Sequence, residues 1–211
     1  MAQALTEVNN YIYELDNKIY VNLTNACTNN CLFCIRTQKD DVKGANMWLT
    51  SRPTFDEIIS QLNKKESLIK NGITFCGYGE PLIEAEMLIK VAKYVKEKYP
   101  NTKIKINTNG HANYIQKRNV VPELKGCIDE VSISLNAHNK ELYNELSQPK
   151  FDNAYEEMLD FAKKCVENNI KTTFTVVTGY KDYYIDIKAC KKISQDIGAN
   201  FRERPWIKDG Y

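Results

Sequence analysis

The feature that most constrains this chain is an apolar–polar alternation in short segments that helical patterns separate. Val21 and Leu23 alternate with Tyr20, Asn22 and Thr24. Val131, Ile133 and Leu135 alternate with Ser132, Ser134 and Asn136, and Phe174 and Val176 with Thr173 and Thr175. Successive side chains of a strand point to opposite faces, so one face of each segment is apolar and the other polar. Strands separated by helices imply right-handed crossovers and a parallel sheet. A parallel sheet covered on both faces reads as continuous apolar runs, and a closed barrel is filled with Val, Ile and Leu. The pattern here predicts an α/β fold, an open partial (β/α)6 barrel with helices over its apolar face and a site on its polar concave face. A sheet with one solvated face is the alternative.

The predicted elements follow that plan. Tyr11 to Glu14 and Lys18 to Thr24 form an N-terminal hairpin about Asp16-Asn17, the second run being the first barrel strand. Further strands are expected at Ile73–Cys76, Lys103–Thr108, Glu130–Asn136, Lys171–Thr178 and Phe201–Arg204. Helices are expected after Thr54, a helix-capping residue with Asp56 and Glu57 in the first turn. Others are expected over Ile83–Glu97, Ala154–Glu167 and Tyr184–Asp196, the last closed by Gly198. A short irregular helical stretch follows Asn109-Gly110. Residues 35–53 read as an irregular loop, a candidate lid over the site with Trp48 as its apolar anchor. No repeat or interdomain linker is evident, so residues 1–211 read as a single domain.

Composition removes several classes. With 29 Lys+Arg against 27 Asp+Glu, the chain lacks the basic excess of a dedicated nucleic-acid binder. No apolar run approaches the roughly 20 residues that span a bilayer. Met1 to Asn10 shows neither the basic nor the apolar part of a secretory signal. The expectation is a cytoplasmic protein whose seven cysteines are thiols or metal ligands rather than disulfides.

Three of those cysteines are crowded: Cys27, Cys31 and Cys34, in the spacing C-x3-C-x2-C. Zinc normally takes a fourth Cys or His, and the two histidines, His111 and His138, lack that spacing. A 4Fe–4S cluster normally takes four cysteines, so three leave one iron open to a small molecule. Structural zinc remains the bland alternative. The other four, Cys76, Cys127, Cys165 and Cys190, are scattered. Cys76 sits at a strand end beside the glycine loop, either facing the site or a buried, unreactive thiol.

The triplet with Phe33 before its third cysteine resembles the CxxxCxΦC signature of the radical S-adenosylmethionine (SAM) superfamily. Gly77-Tyr78-Gly79-Glu80-Pro81 resembles that superfamily's GGEP motif, with Tyr78 inserted between the glycines. Both fall at the C-terminal ends of the first two predicted barrel strands. The resemblance implies a 4Fe–4S cluster on Cys27, Cys31 and Cys34, with SAM on the fourth iron. It implies that Glu80 accepts a hydrogen bond from the SAM amino group and that Gly79 allows close approach to the methionyl end. The backbone near Phe33, beside the Tyr78 loop, would meet the adenine. Asn107, Asn109, Ser134 and Asn136 are candidates for ribose and carboxylate contacts by their position at strand ends, and Val177 for packing on the adenine. The implied chemistry is one-electron cleavage of SAM to a 5′-deoxyadenosyl radical that abstracts hydrogen from a C–H bond.

The runs NLTNACTNNCLFCIR, FCGYGEP, INTNG, VPELKG, DEVSISLNA, YNEL and FRERP are similar to the short, TatD-associated radical SAM proteins, a group that includes queuine lyases. This implies a lyase converting queuine to 7-aminomethyl-7-deazaguanine in queuosine salvage. The implied partners are a small deazaguanine base and an external one-electron donor such as flavodoxin or ferredoxin, with no direct nucleic acid and no membrane. Such a base needs a polar edge partner and aromatic faces. Tyr20, Asn22, Trp48 and Glu203 are candidates, with Arg204 as a candidate anion clamp. One of the pairs Arg202/Arg204 and Phe201/Glu203 must face inward. A glycyl-radical-enzyme activase acting on a protein partner, and a non-catalytic iron–sulfur or zinc module, are the competing functions.

Overall fold

A computed structural model describes residues 9–208; Met1 to Val8, most of the segment read as lacking a signal, lie outside them. Strand β1 (Ile12–Leu15) pairs antiparallel with β2 (Lys18–Val21). Their two-residue turn holds Asp16 and Asn17 at φ 51° and 58°, the left-handed pair that matches hairpin twist. From β2 the sheet continues in chain order through β5 (Ile73–Phe75), β6 (Ile104–Thr108), β7 (Glu130–Ser134), β8 (Lys171–Thr178) and β9 (Asn200–Pro205). All of these neighbours are parallel. Strand β9 ends the order on one side and the hairpin on the other, so the expected open six-strand barrel is the architecture.

The alternation builds the two faces. Ile19, Val21, Ile106, Val131, Ile133, Phe174 and Val176 are fully buried. They form one core with Leu88, Val91 and Val95 of α3 (Ala85–Lys98) and Met158, Phe161 and Cys165 of α7 (Ala154–Glu167). Each such side chain stabilises the fold by roughly 1.5–3 kcal/mol before chain entropy is counted. Tyr20, Thr74, Ser132, Thr173 and Thr175 fall at the opposite parity. Cys165 and Cys190 are buried thiols of the apolar side.

The helix after Thr54 is α1 (Phe55–Asn63), closed at its start by a capping box in which Thr54 Oγ1 accepts from the Glu57 N–H. Helix α8 runs Ile187–Ile197, starting three residues later than predicted. Its start is fixed by Asp186, whose carboxylate accepts from the Ala189 N–H at 3.0 Å. Gly198 closes it at φ 83°. The short helical stretch expected after Asn109-Gly110 is two helices, α4 (Ala112–Gln116) and α5 (Val121–Leu124), while α2 (Glu66–Ile69) and α6 (Lys140–Ser147) add to the expected set. Residues 35–53 are more ordered than a loop. They hold a 3-10 turn, Ile35–Thr37, and a small hairpin of β3 (Asp41–Val42) and β4 (Ala45–Asn46). No helix among the described residues is long and apolar enough to cross a membrane.

Candidate functional site

Every barrel strand contributes its C-terminal end or the loop after it to one cavity of about 270 Å³. The loop after β2 brings Cys27, Cys31, Phe33 and Cys34; the loop after β5 brings Cys76, Tyr78, Gly79 and Glu80. Asn107 and Asn109 arrive at the end of β6, Ser134 and Asn136 at the end of β7, Val177 on β8 and Arg204 on β9. The structure thus gathers the three cysteines and all nine residues named for SAM around one space.

The cysteine loop is held from several sides. The Asn30 N–H donates to the Ser147 carbonyl at 3.0 Å and the Leu32 N–H to the Leu146 carbonyl at 2.9 Å, both at the end of α6. Lys150 Nζ donates to the Cys27 carbonyl at 2.8 Å. Arg36 reaches back to the carbonyls of Asn25, Tyr78 and Asn29. Beneath the loop runs a buried polar chain. Asn109 Nδ2 donates to Thr28 Oγ1 (2.8 Å), Thr28 Oγ1 meets His111 Nδ1 (2.9 Å), and His111 Nε2 meets the Tyr143 hydroxyl (3.0 Å). Asn29 Nδ2 closes the chain on that hydroxyl at 3.3 Å. Burial pushes His111 down to about 4, so the ring is neutral, one nitrogen donating and the other accepting. Neither α6 nor this chain was expected from sequence.

The two motif loops interlock. The Glu80 N–H donates to the Ala26 carbonyl at 2.8 Å. A Cβ on Gly79 would lie 2.3 Å from the Thr24 carbonyl oxygen and 2.5 Å from that of Ala26. Gly79 therefore permits close approach to the cysteine loop, while it also lines the cavity. Glu80 is only 3% exposed. Its Oε1 accepts from Thr108 Oγ1 (2.7 Å) and the Leu82 N–H (3.1 Å), and its Oε2 from the Asn109 N–H (2.7 Å). Burial nonetheless pushes it up to about 7, and Oε2 keeps a lone pair uncommitted.

The donor set fits a cluster and a polar cofactor. Burial raises Cys27 and pushes Cys31 up to about 12, the neighbouring thiols adding to the Cys31 shift. Crowded thiols of this kind hold their protons until a cationic centre takes their place. Among the described residues, no three His, Cys, Asp or Glu side chains converge on a single metal ion; a cluster instead takes one thiolate at each of several irons. Asn29 Oδ1 and Asn107 Oδ1, both on residues that line the cavity, are buried without a partner among the described residues, as acceptors awaiting a ligand's donors are.

The substrate candidates divide. Arg204 lines the cavity. Tyr20 is displaced to a side cavity of about 180 Å³, stacked on Tyr13 at 5.2 Å. Asn22 is fully buried and structural: its Nδ2 donates to the Met47 carbonyl at 2.9 Å, and its Oδ1 lies where a Gly77 Cβ would be. Trp48 lies outside the cavity and is 37% exposed, bonded to Asp40 and edge-on to Tyr78. The apolar anchor of residues 35–53 is Met47, 1% exposed among Tyr13, Leu15, Val42 and Tyr78. Glu203 turns away to pair with Lys191 of α8 at 3.4 Å, because Phe201 and Glu203 take the helix side and the arginines face inward. Sequence reasoning missed Trp206 and Ile207, which line the cavity just past β9; Trp206 packs edge-on against Tyr180, as does Phe33. Of the two readings of Cys76, a buried thiol or one facing the site, the structure places it bordering both the main and side cavities.

Comparison with known proteins places this geometry. The family description "Radical SAM superfamily" matches residues 21–191. An uncharacterized protein of Methanocaldococcus jannaschii is 23% identical over 77% of this chain and 48% of its own length. A probable dual-specificity RNA methyltransferase RlmN of Dictyoglomus turgidum is 22% identical over 91% of this chain and 56% of its own. The chain thus spans about half the length of these curated relatives. Among solved structures, Streptococcus suis SuiB bound to precursor peptide SuiA superposes with TM-score 0.64 at 16% identity, covering 89% of this chain and 39% of SuiB. A radical SAM methyltransferase from Sphaerobacter thermophilus superposes with TM-score 0.56 at 15% identity, covering 92% and 68%.

Proposed function

The chain belongs to the radical SAM superfamily, whose members carry a 4Fe–4S cluster and SAM, and from that premise we propose that it is a queuine lyase. The observation that carries the enzymatic part is the convergence of three thiols, the Glu80 loop and the polar strand ends on one cavity. The lyase part is supported by the likeness of the runs around Cys27, Glu80, Asn109 and Ser134 to TatD-associated proteins.

The cluster and SAM, when bound, supply a 5′-deoxyadenosyl radical that removes a hydrogen atom from the substrate. The chain's own residues position and shield. Cys27, Cys31 and Cys34 hold three irons, and the α6 contacts fix their loop. Glu80 Oε2 accepts from the SAM ammonium, which favours loss of the carboxyl proton. Asn107, Asn109, Ser134 and Asn136 take the remaining polar groups of SAM, while Phe33 and Val177 flank its adenine. Trp206 and Ile207 line the cavity as apolar walls that limit water. Residues 35–53 act as a flanking cover seated through Met47. An external one-electron donor completes the cycle.

The test supplies queuine deuterated in its cyclopentenediol ring to the anaerobically reconstituted protein with SAM and a reductant. Deuterated 5′-deoxyadenosine together with 7-aminomethyl-7-deazaguanine is expected. Cleavage of SAM with queuine left intact would overturn the lyase assignment while sparing the family.

A further inference from the structure

Below the cofactor cavity the concave face opens into a groove of about 370 Å³ lined by four cations, Lys18, Lys105, Arg202 and Arg204, and one carboxylate, Glu203. That carboxylate is turned toward Lys191. Lys105 pairs with Glu130 at 3.0 Å. Arg204, Arg202 and Lys18 form no ion pair among the described residues, although Arg204 is half-buried. Other half-buried cations are compensated, Lys96 by Asp129 at 2.7 Å and Arg36 by the carbonyls of Asn25, Tyr78 and Asn29. Arg204 also lines the cofactor cavity and the side cavity, so it stands where three spaces join. The β8–β9 register places it beside Val177, at the level of the residues named for SAM.

We propose that Arg204, supported by Arg202 and Lys18, forms an oxyanion subsite that receives a carboxylate or phosphate group at the edge of the cofactor cavity. The guanidinium fork matches both anions in bidentate geometry, and Thr74 and Asn107 line the same groove as neutral hydrogen-bonding partners. A half-buried guanidinium without a counterion is under-compensated, and a ligand anion supplies what the chain withholds. The subsite goes beyond the lyase proposal, since a free deazaguanine base carries no anion. It rests on the radical SAM assignment of the cavity, not on queuine.

The test titrates inorganic phosphate, and separately acetate, into the anaerobically reconstituted holoprotein saturated with SAM, by calorimetry at low chloride. Saturable binding of at least one anion is expected, phosphate preference assigning a phosphorylated ligand and acetate preference a carboxylate one. Arg204→Gln should weaken binding at least 10-fold and Arg202→Gln less, with the exposed Lys163→Gln of α7 unchanged. Arg204→Lys, which keeps the charge and loses the fork, should fall between, and it serves if the Gln variant misfolds. Equal binding by Arg204→Gln and wild type, or no binding by wild type, overturns the proposal. Binding seen in a parallel titration without SAM but absent with it also overturns the proposal, because Arg204 then serves the cofactor's own carboxylate. Queuine turnover is scored separately, so the lyase proposal and the subsite can fail independently.

Discussion

Replacing Gly79 with alanine tests how the two motif loops are joined. The added Cβ would stand 2.3 Å and 2.5 Å from the carbonyl oxygens of Thr24 and Ala26, about 1 Å inside ordinary contact distance. Both obstacles are backbone, so no side chain can swing aside. The φ of Gly79 lies outside the left-handed region, so the substitution adds bulk without backbone strain. Overpacking of a close-packed interior costs typically 1–3 kcal/mol, and here relief requires parting the Glu80 N–H from the Ala26 carbonyl. About 3 kcal/mol is therefore expected. For a domain of this size that lowers Tm by roughly 6–12 °C. Because the loop that moves carries Cys27, iron retained after anaerobic reconstitution should fall as well. Thermal melts of the unloaded protein and iron quantitation of the loaded one are the assays. A Gly79→Ala protein with unchanged Tm and full iron content would refute the interlocked-loop account.

Three further outcomes follow from the same geometry. Glu80, moved by burial from 4.5 to about 7, binds its proton more tightly folded than unfolded. Its contribution is fully present below pH 4.5 and lost as pH rises through 7, about 3 kcal/mol in all. Glu80→Gln should flatten the fall in unloaded Tm between pH 5 and 8, and parallel wild-type and variant profiles would contradict it. His111, lowered by burial from 6.5 to about 4, has the opposite sign: stability present above pH 6.5 is lost by about 3 kcal/mol as pH falls through 4. His111→Gln should remove that acid limb in a pH-dependent melt. Met47→Ala should cost about 2–4 kcal/mol as a buried truncation, and Trp48→Ala under 1 kcal/mol, read by denaturant unfolding; the reverse order would unseat Met47 as the anchor of residues 35–53.

The barrel was legible because its strands carry both halves of their environment in sequence. The Ser132/Ile133/Ser134 alternation states which face meets helices and which meets the cavity, and β8 and α7 fall at their predicted limits. What escaped prediction is held by single contacts rather than by period. Helix α6 carries one helical stripe, Tyr143, Leu146 and Ser147 at i, i+3 and i+4, but over only eight residues, and its start is marked by Asn139, which accepts from the Leu142 N–H. The β3–β4 hairpin has two residues per strand, turned by Lys43 and Gly44 at positive φ. The motif residues of the site were legible because their types and spacing are set by the ligand. The substrate side was not: alternation on β9 offers two equal choices, and only the packing of Phe201 under α8 turns Arg204 inward and Glu203 out. Trp206 joins the cavity through its N–H to the Thr178 carbonyl at 2.7 Å, which extends β9 past a proline.

The central claim is that three cysteines and the Glu80 loop form a SAM-cleaving centre. Its most direct test incubates the anaerobically reconstituted protein, with iron and sulfide content verified, with SAM and dithionite and quantifies 5′-deoxyadenosine and methionine by mass spectrometry. The account predicts both products in equal amounts from the wild type, and neither from Cys31→Ser. A fully loaded wild-type protein that leaves SAM intact would contradict it.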